Sequence, residues 1–238
     1  MVILAAVSII AGTTASVVGF GIGSLLTPLV ASQFGIDLAV AAVAFPHLAG
    51  GWLRGWRLRR SIDRDVLVRF GILSAAGGLV GALAFAQLNA DALTRILGAL
   101  LVLTASVGMT HWSSRWKPRG LLVWVLGALS GFFGGIVGNQ GGLRAAALSR
   151  FNLQPTVFVA TSTVIGVLID IVRSPVYVYR QGHRLSTLTG LIAIATIGVL
   201  VGTVTRERLL FGLSQERFRV IISIAIGLLG VWFLVRPT

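Results

Sequence analysis

The stretch GFFGGIVGNQGGLRAAALSRF, residues 131 to 151, combines an apolar background with glycines at 134, 135, 138, 141 and 142, an amide pair at Asn139 and Gln140, and an arginine two residues past the last glycine. Glycine has no β-carbon and adopts positive φ at low cost, so the cluster predicts a helix that stops inside an apolar segment and restarts. The same grammar occurs earlier in the chain: Gly19, Gly21 and Gly23 separate the apolar run 2 to 18 from SLLTPLVAS, where Pro28 adds a further irregularity. Unwound backbone at membrane depth must face protein or water, because lipid cannot satisfy its hydrogen bonds. A half-helix that starts there presents free N–H groups and the positive end of its dipole, which suits an anion. Arg144 falls in the first turn of the second half-helix, where a guanidinium adds a bidentate clamp for an oxyanion, and Asn139 and Gln140 add amide donors.

The chain around these breaks is that of a membrane protein. Of 238 residues, 55% are hydrophobic and 11% charged, and the mean hydropathy is +0.92, far from the balance of a soluble domain. Apolar runs fall at 2 to 18 with a continuation at 24 to 32, then 38 to 56, 65 to 87, 91 to 110, 120 to 137 with a continuation at 142 to 151, 155 to 179, 185 to 204 and 216 to 235. At about 20 apolar residues per span, this predicts an all-α polytopic protein of about eight membrane segments, the first and fifth of them broken. The N-terminal run lacks the basic opening of a signal peptide and is read as the first membrane helix.

The halves resemble one another. VVGFGIG (17 to 23) corresponds to IVGNQGG (136 to 142), FGIDLAVAAVAF (34 to 45) to FNLQPTVFVATS (151 to 162), GGLVGALAF (77 to 85) to IGVLVGTVT (197 to 205), and DALTRILGALLVL to QERFRVIISIAIGLL. The order of these matches predicts two homologous four-segment repeats, 1 to 118 and 119 to 238, an organisation common among secondary transporters. Arg54, Arg57, Arg59, Arg60, Arg64 and Arg69, together with HWSSRWKPRG (111 to 120), mark cytoplasmic loops. If the broken segments cross the bilayer the repeats are parallel; if they turn back the repeats are inverted, and charge counting separates the two poorly.

The net charge is +13, with 20 basic residues, all but one arginine, and 7 acids. Most of the arginines lie between apolar runs, where they meet anionic lipid, so nucleic acid is not the expected partner. No cysteine is present, and His47, His111 and His183 are dispersed, which argues against a metal site or cofactor. Neither a clustered nucleophile nor paired carboxylates support an enzyme, and no nucleotide-binding motif supplies energy.

Other polar groups within apolar runs are candidates of a second kind. Asp170 is the only acid well inside one, with Arg173 three residues on. The pair reads as a structural ion pair, as a proton-carrying carboxylate, or as an orienting partner for Arg144. Thr161 and Ser162 lie two turns earlier and offer hydroxyls to a ligand, although such hydroxyls commonly bond their own backbone. His47 sits near the corresponding place in the first half, with an ordinary pKa suited to proton coupling. The candidate substrate-binding set is therefore Gly19, Gly21, Gly23, Ser24, Asn139, Gln140, Gly141, Gly142, Arg144, Thr161 and Ser162, and the proton-coupling or ion-pair set is His47, Asp170 and Arg173.

At these residues the chain resembles the TauE/SafE family of sulfite exporters, whose repeats open with a glycine-rich motif followed by an L-x-x-P-L-like stretch. GFGIGSLLTPL (19 to 29) follows that pattern with Ile22 in place of one glycine. GNQGGLRAAAL (138 to 148) departs from it, with Arg144 and three alanines at customary apolar and proline positions. Ala160-Thr161-Ser162 matches the family's A-T-S signature, which the first half replaces with Val43-Ala44-Phe45, and RQGHRLS (180 to 186) resembles its short basic turn loosely. The resemblance implies a secondary transporter in a bacterial or archaeal inner membrane that moves sulfite, a sulfonate or a related sulfur or carboxylate oxyanion, with export the expected direction. A passive anion channel is the alternative, and homo-oligomer formation stays open.

Overall fold

In the computed structural model, residues 1–109, 120–148, 151–205 and 214–235 are described. His111, the basic residues of the 111 to 119 loop, the end of the 142 to 151 run and Arg236 lie outside them. The described residues form ten α-helices: α1 (Val2–Val18), α2 (Ile22–Phe34), α3 (Ile36–Arg57), α4 (Arg64–Phe85), α5 (Ala90–Met109), α6 (Leu121–Val137), α7 (Gly141–Leu148), α8 (Pro155–Ser186), α9 (Thr189–Val204) and α10 (Gln215–Val235). By length and composition α3, α4, α5, α8 and α10 suffice to cross a membrane, while α1, α2, α6 and α9 are shorter apolar helices.

Polarity is arranged as lipid demands. Ile72, Val80, Leu228 and Trp232 stand exposed on the outside, whereas Ser74, Thr94, Thr104, His47, Arg54, Arg144, Asp170 and Arg173 are buried. A chain that turns its large apolar groups outward and its charges inward is stable only in an apolar solvent.

Backbone contact through glycine sets the helix pairs. A β-carbon at Gly77 would lie 2.2 Å from the Ala128 carbonyl oxygen, and one at Gly81 2.0 Å from that of Phe132, so α4 and α6 touch main chain to main chain, running parallel. Gly198 and Gly202 make α9 meet α1 in the same way, Gly202 against the Ile9 carbonyl at 2.0 Å. Small residues four apart allow this approach, and dispersion across the close faces holds the pair where no hydrophobic effect acts between helices. In α3 and α8 the partners run in opposite senses: Arg184 bonds Asp37 at 2.5 Å, His47 meets Asp170 at 2.5 Å and Arg54 bonds Thr163 at 2.7 Å. The two helices are thus antiparallel along most of their lengths. α5 and α10 are antiparallel too, with Gly108 beside Ser223 and Gly98 beside Gly230 and Leu234.

Both glycine clusters break their helices. α1 ends on Gly19 at φ 88°, whose N–H bonds the Ala15 carbonyl, and α2 starts after Gly21 at φ 131°. Gly21 lies against Thr14 and Ala15 and Ile22 reaches Gly50, so the chain turns back, and α2 runs antiparallel to α3, joined to it by Gly35 alone. α6 ends on Gly138 at φ 70°, with its N–H on the Gly134 carbonyl, before α7 begins at Gly141. Arg173 touches Gly138, whereas Arg144 bonds Ser162; the two anchor points on α8 are about 16 Å apart at 1.5 Å per residue, so α7 also returns toward the side from which α6 came. Both broken segments are re-entrant hairpins.

One expected boundary moves. The basic turn expected at 180 to 186 is helical, because α8 continues to Ser186. A lone Gly182 is too weak a breaker to stop it, and Gln181 and Arg184 both bond Asp37 at the start of α3.

Candidate functional site

The two hairpin tips meet. A β-carbon on Gly23 would lie 2.3 Å from the Gly138 carbonyl oxygen, and one on Gly141 would lie 2.4 Å from Phe20. Ser24, in the first turn of α2, donates to Asn139 Oδ1 at 3.0 Å. Gly19, Gly21, Gly23, Ser24, Asn139, Gln140 and Gly141 therefore share one place in the fold. Gly142 is set beside Thr104 of α5 by the same close packing.

Around this contact, donors outnumber acceptors. The Arg144 side chain is 2% exposed and reaches α8, where its Nε donates to Ser162 Oγ at 2.8 Å. Its Nη1 lies over Gly166 and has no hydrogen-bond partner, and the same is true of Asn139 Nδ2 and of both polar atoms of the Gln140 side chain. Arg144 neither snorkels to the surface nor pairs with Asp170. Buried polar groups are ordinarily satisfied, so three side chains with open valences within six residues around one helix break are a local concentration of unmet hydrogen bonding.

Arg54 was not singled out by the sequence, where it heads the basic run 54 to 69. It lies in the last turn of α3, is 4% exposed, donates from Nε to Thr163 Oγ1 at 2.7 Å and leaves Nη1 without a partner. Ser162 and Thr163 are consecutive, so an arginine from α3 and one from the second hairpin bond to α8 at adjacent positions. Thr161 is occupied otherwise: its hydroxyl oxygen accepts the Asp63 N–H at 2.9 Å and ties the α3–α4 connection to α8.

Further along α8 a second cluster is closed on itself. Asp170 Oδ1 accepts from Arg173 Nε and Nη2, each at 2.8 Å, and Asp170 Oδ2 faces His47 Nδ1. Arg173 Nη1 donates to the Gly134 carbonyl at 2.7 Å, and the Tyr177 hydroxyl donates to that of Gly135. The Gly134 carbonyl, which already accepts the Gly138 N–H, thus gains a second donor from α8, and the Gly135 carbonyl gains Tyr177. Tyr177 carries no sequence signal of this role; only the approach of α6 to α8 supplies it.

Near the end of α1 a cavity of about 430 Å³ is lined by Val18, Phe20, Ala145, Phe158, Val159 and Arg219. It lies beside Gly19 and the residue after Arg144, at the end of the bundle where α3 finishes in Arg54 and Arg57. Among the described residues no group of three or more His, Asp or Glu converges to hold a metal.

Two buried arginines thus lie beside two helical hairpins in an apolar-faced bundle. Nothing matches the chain among curated proteins or among solved structures. The family model described as sulfite exporter TauE/SafE matches residues 4–233, and the chain therefore belongs to that family of membrane transporters.

Proposed function

We propose that the protein is a secondary transporter that exports a small oxyanion, sulfite or a related sulfur or carboxylate anion, by alternating access around the meeting point of the two hairpin tips. The observation that carries this reading is Arg144: a permanent charge buried in a re-entrant half-helix, with Nη1 unpartnered and the amides of Asn139 and Gln140 beside it. Substrate accepts from these donors, and the helix start at Gly141 adds its dipole.

The chain is read as two inverted repeats, 1 to 118 and 119 to 238. In support, helices at equivalent places make equivalent contacts: α1 packs on α9 as α6 packs on α4, and the equivalents α3 with α8 and α5 with α10 lie antiparallel. A two-fold axis in the membrane plane requires this pattern, and rocking of one repeat on the other exposes a central site to each side in turn. The arginines at the α3–α4 connection mark that face as cytoplasmic, and the cavity beside Val18 and Ala145 lies toward it. His47, Asp170 and Arg173 are read as a buried ion-pair network, with proton coupling through His47 and Asp170 as the second reading, since Arg173 links them to a carbonyl beside the second break.

Arg144→Gln tests the reading. The variant is expected to fold and to lose both anion-dependent thermal stabilisation and counterflow of labelled sulfite in proteoliposomes; wild-type behaviour on both counts removes Arg144 from the site. In the wild type, saturable counterflow distinguishes a carrier from a channel, whose conductance does not saturate.

A further inference from the structure

We infer that this site selects dianions over monoanions, and that Arg54 is the second cationic anchor responsible; the inference rests on the anion-transport reading above. The buried charge inventory leads to it. Among the described residues, the buried ionisable side chains of the bundle interior are His47, Arg54, Arg144, Asp170, Arg173 and Tyr177. Both oxygens of Asp170 are engaged, one by Arg173 and the other by His47. Arg54 and Arg144 have hydroxyl partners only, the consecutive Thr163 and Ser162; they repel each other, and the attraction of Asp170 for both is shared with Arg173, which sits on its carboxylate. Asp63, whose N–H binds Thr161, turns its carboxylate to the Val66 N–H at the start of α4.

Two uncompensated guanidiniums in a membrane interior are costly, and a bound counter-charge removes the cost. A monoanion neutralises one of them and leaves the other alone. A dianion neutralises both, and its oxygens provide acceptors for the two free Nη1 groups, one arriving from α3 and one from α7. Gly166, one turn beyond Ser162, lets Arg144 Nη1 lie close against α8, where a β-carbon would be 3.1 Å from it. The anchors belong to different helices, so a dianion also ties together α3 and α7 while it is bound.

The test compares anions matched in shape and different in charge: sulfite with chlorate at alkaline pH, where sulfite is the dianion, and sulfate with methanesulfonate. Purified wild-type protein is expected to bind each dianion at least about tenfold more tightly than its monoanionic counterpart, the scale of one hydrogen bond to a charged group, by thermal shift and by competition against labelled sulfite in proteoliposomes. Arg54→Gln is expected to bring that ratio near one while monoanions still bind through Arg144, and Arg54→Lys to restore part of the preference. Equal binding of the two charges by the wild type, or an undiminished preference in Arg54→Gln, overturns the inference and leaves the transport reading standing. Failure of every anion to bind or move in the wild type overturns the transport reading itself. Because the wild-type ratio needs no variant, a poorly folding Arg54→Gln does not spare the proposal, and Thr163→Val, which releases Arg54 Nε, gives a milder second probe with a severalfold loss of preference expected.

Discussion

Two clusters of buried charge sit on α8 within a few turns of each other, and they are built on opposite plans. At Asp170 each charge has its complement: Arg173 and His47 occupy the carboxylate, and the remaining Arg173 donor caps a backbone carbonyl of α6. At Ser162 and Thr163 two arginines are held in place by neutral hydroxyls, and neither is neutralised. The first plan locks helices together; the second holds charge in readiness for something brought from outside. By burial alone Arg144, 2% exposed, and Arg173, 1% exposed, are the same kind of residue. Their partners separate them.

The sharpest way to break this comparison is Asp170→Ala. Removing the acid leaves Arg173 buried without its counter-ion, an expected loss of about 3–5 kcal/mol in unfolding free energy, read as a large fall in thermal stability in detergent. A loss no greater than that of Arg144→Gln would show that the closed and open clusters do not differ as described. Next in size is Gly202→Ala, which forces a methyl group against the Ile9 carbonyl where α9 meets α1. Overpacking of this kind costs about 1–3 kcal/mol, and Gly81→Ala, at the corresponding contact of α4 with α6, is expected to match it; a large disparity in thermal unfolding between the two would weaken the equivalence of the helix pairs. The smallest effect is expected from Ser24→Ala, which removes the bond to Asn139 between the hairpin tips for about 1 kcal/mol. It should also free Asn139 Oδ1 and alter anion affinity modestly, so an unchanged binding curve together with unchanged stability would argue that the tips touch without bearing on the site.

Much of the architecture was legible in the residues. The run 2 to 18 became α1 with those ends, and both glycine clusters became breaks, because a glycine in the left-handed region ends a helix whatever surrounds it. Arg144 was conspicuous as a charge beside glycines in an apolar stretch. Arg54 was not, since five other arginines follow it within fifteen residues and a chain read in one dimension cannot tell the one that turns inward from those that meet the headgroups. Nor could Asp170 be assigned in advance to Arg173, Arg144 or a proton, because all three readings satisfy the same sequence.

The amino-acid order by itself determined the solvent, the helical class and the places where helices stop, since these follow from local hydropathy and from backbone freedom at glycine. Whether the broken segments cross or turn back, which hydroxyl each arginine holds and which charges remain without a complement were decided only by the packing of α3, α7 and α8. Electrostatic compensation is a property of distances in space: Asp170 acquires its partners, and Arg54 and Arg144 are left with hydroxyls, only when α3, α7 and α8 pack together.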